Sequence, residues 1–324
     1  VITKNNYHSL ADHIGAGKDW DMTRKRGGLR ILSPMSNVEF NPLSTEIYKG
    51  SLDALYCHMS SIRRSMADYV ILTGSNIVCC EIDYRDLIQH HIDANADITA
   101  VYVESARTDK RIPFDMPIFR MDDNGRIIEM TFNGDDIRPQ EEKWAVDTYV
   151  IQKSLLESIV ADSIASRKYS WHADVLQRLT PTLQIRGYEY KGALLEISTV
   201  SEYMKANMNF LKEEFRRDIF AKPIYTKVKN SVPALYLPGC SVKNCLVADG
   251  CIIEGCIENS IISRGVKIGR GSVIKNSIVM QNTEIMQNVT LEHVILDKDV
   301  IVRDGKRIAG HETYPVVIEK KAIV

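Results

Sequence analysis

Aliphatic residues recur at every sixth position along residues 262–291. Ile262, Ile268, Ile274, Met280 and Met286 form one series, and Val273, Val279, Ile285 and Leu291 form a second in the neighbouring register. The cleanest unit is Ile268-Gly269-Arg270-Gly271-Ser272-Val273. An α-helix repeats near 3.6 residues and a plain strand near 2, so neither sustains a period of about six. A left-handed parallel β-helix does, because each flat face of its triangular coil takes about six residues and points an aliphatic side chain inward. The coil is expected over about 238–304, followed by a tail with a strand-like end, Val316-Val317-Ile318.

Residues 1–220 alternate strand-like and helix-like segments instead. Tyr69-Val70-Ile71-Leu72-Thr73 is a short apolar run ending at Gly74 and predicts a buried parallel strand. Leu52, Leu55, Tyr56, Met59 and Ile62 share one face of a helix predicted over 51–64. A helix over 83–95 precedes a strand over 97–103. Asp122-Asp123-Asn124-Gly125 signals a hairpin turn between Ile118-Phe119-Arg120 and the strand 126–130. Trp144–Ile151 is strand-like and Thr199–Glu214 helical. Such alternation argues an α/β fold with a mostly parallel, doubly wound, Rossmann-like sheet, in which ligands bind outside the carboxyl ends of strands. The loop after Thr73 and the segment entering helix 51–64 are thereby placed near any site. Pro223, Pro233 and Pro238 mark a linker over 221–237.

Composition adds boundaries rather than chemistry. The 324 residues suggest about two domains, and 44% hydrophobic with 26% charged residues is the balance of a soluble globular protein. A formal net charge of −1 gives no reason to expect nucleic acid or a membrane surface as partner. No apolar run approaches the roughly 18–20 residues of a membrane span, and the start lacks signal-peptide character. The seven cysteines are odd in number and lack metal spacing. Cys79-Cys80 lie in an apolar run, and Cys240, Cys245, Cys251 and Cys256 are scattered through the coil. Free thiols in a reducing cytoplasm are expected. Val1-Ile2-Thr3 reads like the end of a buried strand, so an N-terminal piece is expected to be missing.

A family resemblance rests on three groups of residues. Thr3, His8-Ser9-Leu10, His13-Ile14-Gly15, Gly17 and Trp20 resemble the early segment of ADP-glucose pyrophosphorylases (glucose-1-phosphate adenylyltransferases). Tyr48-Lys49-Gly50-Ser51-Leu52-Asp53-Ala54 resembles that family's Tyr-x-Gly-Thr-Ala-Asp-Ala motif. Glu196-Ile197-Ser198-Thr199, with Tyr203 and Ala206-Asn207, resembles its Asp-Val-Gly-Thr…Tyr-Trp-x-Ala-Asn motif. The resemblance implies a nucleotidyltransferase-like α/β domain over 1–220, the linker 221–237, and a β-helix with its tail over 238–324. It also implies a substrate-like site built from Tyr48, Gly50, Ser51, Asp53, Gly74, Ser75 and Glu196.

The departures from the family pattern bear on activity. Joining glucose 1-phosphate to the α-phosphate of ATP brings two anions together, and the family meets this with Mg²⁺ held by acidic side chains, and with Lys/Arg. Where the family has Leu-Ser-Gly-Asp-His, this chain reads Leu72-Thr73-Gly74-Ser75-Asn76, and a neutral serine is a poor Mg²⁺ ligand. The second family Asp falls at Glu196, and the family Gly beside it at Ser198. No lysine stands where the Glu-Lys-Pro motif should follow Ile128-Glu129; the chain runs Met130-Thr131-Phe132-Asn133-Gly134. The glycine-rich nucleotide loop is not in the sequence. Loss of one well-placed electrostatic group costs about 10²–10³ in rate. These changes, with Tyr225-Thr226-Lys227-Val228-Lys229, resemble the GlgD-type branch, whose members have little activity alone and modify a catalytic partner.

The expectation is therefore a regulatory subunit with no catalytic residues (Ser75 and Glu196 being degenerate positions), no metal ligands and no cofactor of its own. Its expected partner is the homologous catalytic subunit, in a cytoplasmic heterotetramer. The alternative is an active nucleotidyltransferase. A β-helix acyltransferase is a remote third reading, with His293 the candidate on the body of the coil. Asp53 is open to two readings, a site residue or a first-turn acid favoured by the helix dipole. Arg24-Lys25-Arg26, Lys227 and Lys229 read either as solvated surface or as an anion site for a sugar-phosphate effector. His8 and His13 read as structural.

Overall fold

A computed structural model describes residues 1–4, 7–24, 27–34, 48–79, 82–104, 117–132, 143–192, 194–221 and 230–324, with the backbone alone of Glu196 and Asp218. Several sequence-based candidates lie outside the described residues: Lys25 and Arg26, Cys80, Asn133-Gly134, and Lys227 and Lys229. The chain forms two compact units, Val1–Ser75 with Glu81–Gly192, and Asn76–Cys80 with Ala193–Val324.

The described elements run α1 (Tyr7–Ile14), α2 (Ser51–Cys57), α3 (Met59–Arg63), β1 (Tyr69–Thr73), β2 (Ile77–Cys79), α4 (Tyr84–Asp93), β3 (Ile98–Glu104), β4 (Ile118–Met121), β5 (Ile127–Thr131), β6 (Lys143–Gln152), α5 (Lys153–Ala165), β7 (Ile185–Glu189), β8 (Leu194–Glu196), α6 (Val200–Asn209) and α7 (Glu213–Phe220). In the first unit, strands pair in the order β5-β4-β6-β3-β7, with β1 also on β6. The sheet is mixed rather than mostly parallel. β3 and β7 run parallel, whereas β6 is antiparallel to β1, β3 and β4. The β4–β5 hairpin, built on the expected Asp122–Gly125 turn, sends the chain back across the sheet as β6. β1 is accordingly not a buried parallel strand: its first four residues are half-buried and it pairs antiparallel to β6. Ile98, Val101, Val150, Ile151, Leu156 and Val160, all fully buried, form the heart of this unit.

Two predicted helices are each broken. The helix predicted over 51–64 stops at His58, which leaves helical geometry (φ −112°) and turns its ring inward onto Tyr48. The helix predicted over 199–214 divides into α6 and α7, and Phe210 at the break packs edge-on against Phe215, their ring centroids 5.1 Å apart. Helix α4 follows the sequence: Asp83 caps it, its carboxylate accepting from the Arg85 and Asp86 amides.

The second unit contains the coil: three five-stranded parallel sheets, starting at β9 (Leu235–Tyr236) and ending at β23 (Val316–Ile318). The end of the 221–237 segment is thus already a strand. From Cys256 to Arg307 the repeat is seventeen residues, since Cys256 pairs with Val273, Val273 with Thr290 and Thr290 with Arg307; the circuit before it, Ser241 to Cys256, takes fifteen, and the last, Val294 to Val316, twenty-two. The buried column runs Ile262, Ile268, Ile274, Val279, Ile285, Leu291, Leu296, Val302, so two six-residue steps alternate with one of five. Ile262, Ile268 and Ile274 of the first series and Val279, Ile285 and Leu291 of the second are therefore one column joined at a short corner, and Val273, beside the inward Ile274, is not part of it. Met280 and Met286 fall outside it: Met280 packs against the small cluster of Met204, Ile278 and Ile295, and Met286 is 40% exposed.

The short corner is made by a residue in the left-handed region, Asn244, Asn259, Asn276 or His293, stacked coil on coil. Asn tolerates this conformation well. A small residue follows and turns in. Ser260 and Ser277 are fully buried, and each hydroxyl is satisfied by backbone: Ser277 Oγ donates to Lys275 O at 2.6 Å and accepts from the Val294 amide at 3.1 Å. Outside the coil, Met204 of α6 packs on Ile278 and Ile295. This is why the seam between compact units falls before α6, at 192/193, whereas the sequence-based division falls at 220/221. Among the described residues, Cys240, Cys245, Cys251 and Cys256 are free thiols, as the sequence leads one to expect.

Candidate functional site

β1 ends at Thr73, whose Oγ1 lies 3.2 Å from Thr148 Oγ1 across the pair with β6. The next amide, Gly74 N–H, donates to Asp147 O at 2.8 Å. Asp147 has φ +43° in the middle of a strand. It sits where one edge of β6 passes from β4, paired at Trp144, to β1, paired at Thr148, and where the register with β3 slips between Ala100 and Tyr102. This is a β-bulge, a feature common beside active sites. The left-handed region costs a non-glycine residue about 1–2 kcal/mol. Two contacts hold Asp147 there: its carbonyl accepts from Gly74, and its Oδ1 lies 3.0 Å from His172 Nε2. The pair is partly shielded, with side chains 21% and 25% exposed. Phe132 and Tyr149 pack their rings around the imidazole, at 6.2 and 6.0 Å. Burial pushes the Tyr149 phenol well above its ordinary range, and the Asp147 charge adds to this.

His172 lies in the π-helical segment Trp171–Gln177, and the residues leading into that segment clamp the start of α2. Tyr169 O accepts the Leu52 amide at 3.0 Å, and the Trp171 amide donates to Ser51 Oγ at 2.9 Å. Gly50 allows the approach, for a Cβ there would stand 2.3 Å from Tyr169 O. Asp53 Oδ2 accepts the Lys49 amide at 2.9 Å, so its carboxylate closes the first turn of α2. Tyr48 is buried and its hydroxyl shares a hydrogen bond with His58 Nε2 at 2.7 Å. Burial, then the Cys57 and Asp53 charges, push the Tyr48 phenol up to about 12, and burial pushes the His58 imidazole down.

Of the expected residues, Gly50 and Ser51 meet the stretch 169–171 directly, Asp53 closes the same turn of α2, and Gly74 is linked to His172 through Asp147, while Tyr48 is bonded to His58. Ser75 is exposed. Glu196 belongs to the second unit, at the end of β8 opposite Ile77. The residues after it start α6: Thr199 Oγ1 accepts the Glu202 amide, and the Glu202 carboxylate accepts the Ser198 and Thr199 amides, a full capping box. Asp147 and His172 were not expected from the sequence. The available signal was a lone acid in the apolar run Trp144–Ile151.

Comparison with known proteins bears on both units. A model of the nucleotidyl transferase family matches residues 1–213, and one of the GlmU-like C-terminal hexapeptide matches 238–314. The chain belongs to the nucleotidyl transferase family. It is 29% identical to the glycogen biosynthesis protein GlgD of Bacillus subtilis, over 99% of this chain and 81% of that protein. It is 30% identical to a glucose-1-phosphate adenylyltransferase of a Thermotoga species, over 84% of this chain and 64% of that protein. It is 28% identical to that of Clostridium novyi, over 84% and 70%. The chain thus spans less than two thirds of the length of the Thermotoga relative it matches.

Within this nucleotidyl transferase family member, the donors at the end of β1 do not fit Mg²⁺. Ser75 offers a neutral hydroxyl, and Asp147, whose backbone carbonyl takes the Gly74 amide, has its carboxylate hydrogen-bonded to His172. What the arrangement does is orient an imidazole: with Nε2 directed to Asp147, the other ring nitrogen has no hydrogen-bond partner among the described residues. His293, the acyltransferase candidate, fills a left-handed coil corner equivalent to Asn276. Among the described residues no helix is long and apolar enough to cross a membrane.

Proposed function

We propose that this chain is a regulatory, catalytically impaired subunit in bacterial glycogen biosynthesis that modulates a homologous glucose-1-phosphate adenylyltransferase in a cytoplasmic heterotetramer. The observation that carries the reading is the end of β1, where Gly74-Ser75 replaces the family's Gly-Asp and the adjacent acid is engaged by His172. Similarity to a protein named for glycogen biosynthesis over almost the whole chain supports it. The subunit acts by binding one conformation of its partner better than another, which raises the partner's apparent substrate affinity or activity. An active transferase making ADP-glucose is the second reading, favoured by 30% identity to an adenylyltransferase.

One assay separates the two. ADP-glucose synthesis is measured for the chain alone, for the chain mixed with the catalytic adenylyltransferase of the same organism, and for Ser75→Asp. The expected result is negligible turnover alone, altered partner kinetics on mixing, and little recovery in the variant, because the sugar-phosphate lysine is also absent. Robust turnover by the chain alone would sink the regulatory reading in favour of the transferase. Unchanged partner kinetics would remove the modulating role.

A further inference from the structure

The first unit carries a second cluster of unmatched charge, away from β1. The Asp122–Gly125 turn is held from within: Asp122 Oδ1 accepts both the Asn124 and Arg126 amides at 2.9 Å. The turn is then stitched to β7, the Gly187 amide donating to Gly125 O at 3.0 Å and Arg126 bridging antiparallel to Arg186. Residues opposite each other in an antiparallel bridge point to the same face of a sheet, so both arginine side chains leave one face. Like charges directly opposite destabilise a sheet. Arg186 Nη1 donates to Asn124 O at 2.5 Å, which fixes its fork at the turn. The Nε atoms of both arginines are nevertheless buried without a partner among the described residues. Neither guanidinium has a carboxylate within 4.0 Å among those residues.

The same face offers a third unmatched nitrogen. Tyr188 lies two residues beyond Arg186 on β7 and so shares its face. His90 of α4 packs edge-on against Tyr188, centroids 5.4 Å apart, and its Nε2 is buried without a partner as well. Asp86, the acid on this face of α4, is taken by the Tyr188 hydroxyl. A fold that puts two arginines on one face and buries their Nε atoms, while Asp122 closes its own turn and Asp86 accepts from Tyr188, leaves a place for an anion from solution among the described residues.

We infer that Arg126 and Arg186 form a binding site for a phosphate-class oxyanion. Two planar forks suit a tetrahedral dianion, which presents enough oxygens for both and cancels both charges. The site stands whether or not the chain is catalytic, and it lies apart from the β1 end.

The test is isothermal titration calorimetry on the folded chain at constant ionic strength, with inorganic phosphate, a hexose 6-phosphate and acetate as separate titrants. Saturable binding of phosphate or hexose phosphate is expected, with the tighter of the two naming the source, and acetate at least tenfold weaker. Arg126→Gln and Arg186→Gln should each weaken binding at least tenfold. Arg126→Lys and Arg186→Lys, which keep charge but lose the fork, should fall between. In phosphate-free buffer the double Gln variant should melt no lower than the wild-type chain, since repulsion is relieved. Absence of saturable phosphate binding, acetate binding as tight as phosphate, or wild-type affinity in the double variant would overturn the site. A double variant several degrees less stable without phosphate would do so too, by showing that protein groups already anchor the arginines.

Discussion

The coil and the α/β unit both place non-glycine residues in the left-handed backbone region, but on different terms. In the coil, Asn259, Asn276 and His293 hold successive copies of one corner, each supported by the coil above and below. In the α/β unit, Asp147 has this geometry alone within a strand, held by His172 from a distant segment and by Gly74 from the neighbouring strand. A repeated corner needs a residue that tolerates the turn. A single bulge needs specific partners, and those partners converge where the chemistry of the family is expected.

The contrast can be broken first at the coil column. Ile274→Ala should lower unfolding free energy by about 2–5 kcal/mol in denaturant titration, as fully buried aliphatic truncations do. Met286→Ala, six-spaced in sequence but exposed, should stay within about 0.5 kcal/mol. Equal losses would restore an unbroken period of six. In the α/β unit, Gly50→Ala should cost about 1–3 kcal/mol, because its Cβ has no room beside Tyr169 O. A neutral outcome would mean the 169–172 clamp yields easily. At the coil corner, Asn276→Ala should cost about 1–2 kcal/mol while Asn276→Gly stays within a few tenths, since the position demands only backbone tolerance. A large loss in the Gly variant would reveal a side-chain role.

The smallest effect is electrostatic. His91 is buried against Thr99, its Nδ1 2.8 Å from Oγ1, and burial pushes its imidazole below the ordinary range. A folded-state value below the unfolded one means that the unfolded chain binds the proton more readily. Stability contributed by His91 is therefore complete above about pH 6.5 and declines as pH falls toward the folded-state value. The buried polar residues of the coil, Ser260, Ser272, Ser277 and Thr283, do not titrate in this range. Unfolding followed from pH 7 to about pH 5 should lose part of its pH dependence in His91→Gln. An unchanged profile would place the sensitivity on other groups.

How far the molecule could be read from its residues follows the same division. The coil was legible because its repeat writes each environment several times, yet the five-residue corner was missed, since Met280 and Met286 continue the period in letters while leaving it in space. Helix α4 and the Asp122 turn were legible because their partners lie within a few residues. The mixed sheet was not, because alternation of strands and helices says nothing of the direction in which β6 returns. The break at His58 depends on Tyr48, ten residues earlier, and the Asp147–His172 pair spans 25 residues. Of the site, the sequence marked Gly74 and Ser75 but not the acid that the fold sets beside them.

The seventeen-residue coil also sets the arithmetic by which this chain can gain or lose length. Excising Ile262–Ile278 removes one complete circuit and joins Ile261 to Val279, so every later side chain keeps its inward or outward sense. Excising one residue more from within a strand, rather than at a corner, shifts that face by a single position and turns its inward side chains outward. From Cys256 to Arg307 each circuit is thus one residue shorter than three equal hexapeptides, while the circuit before it, from Ser241 to Cys256, is shorter by two more.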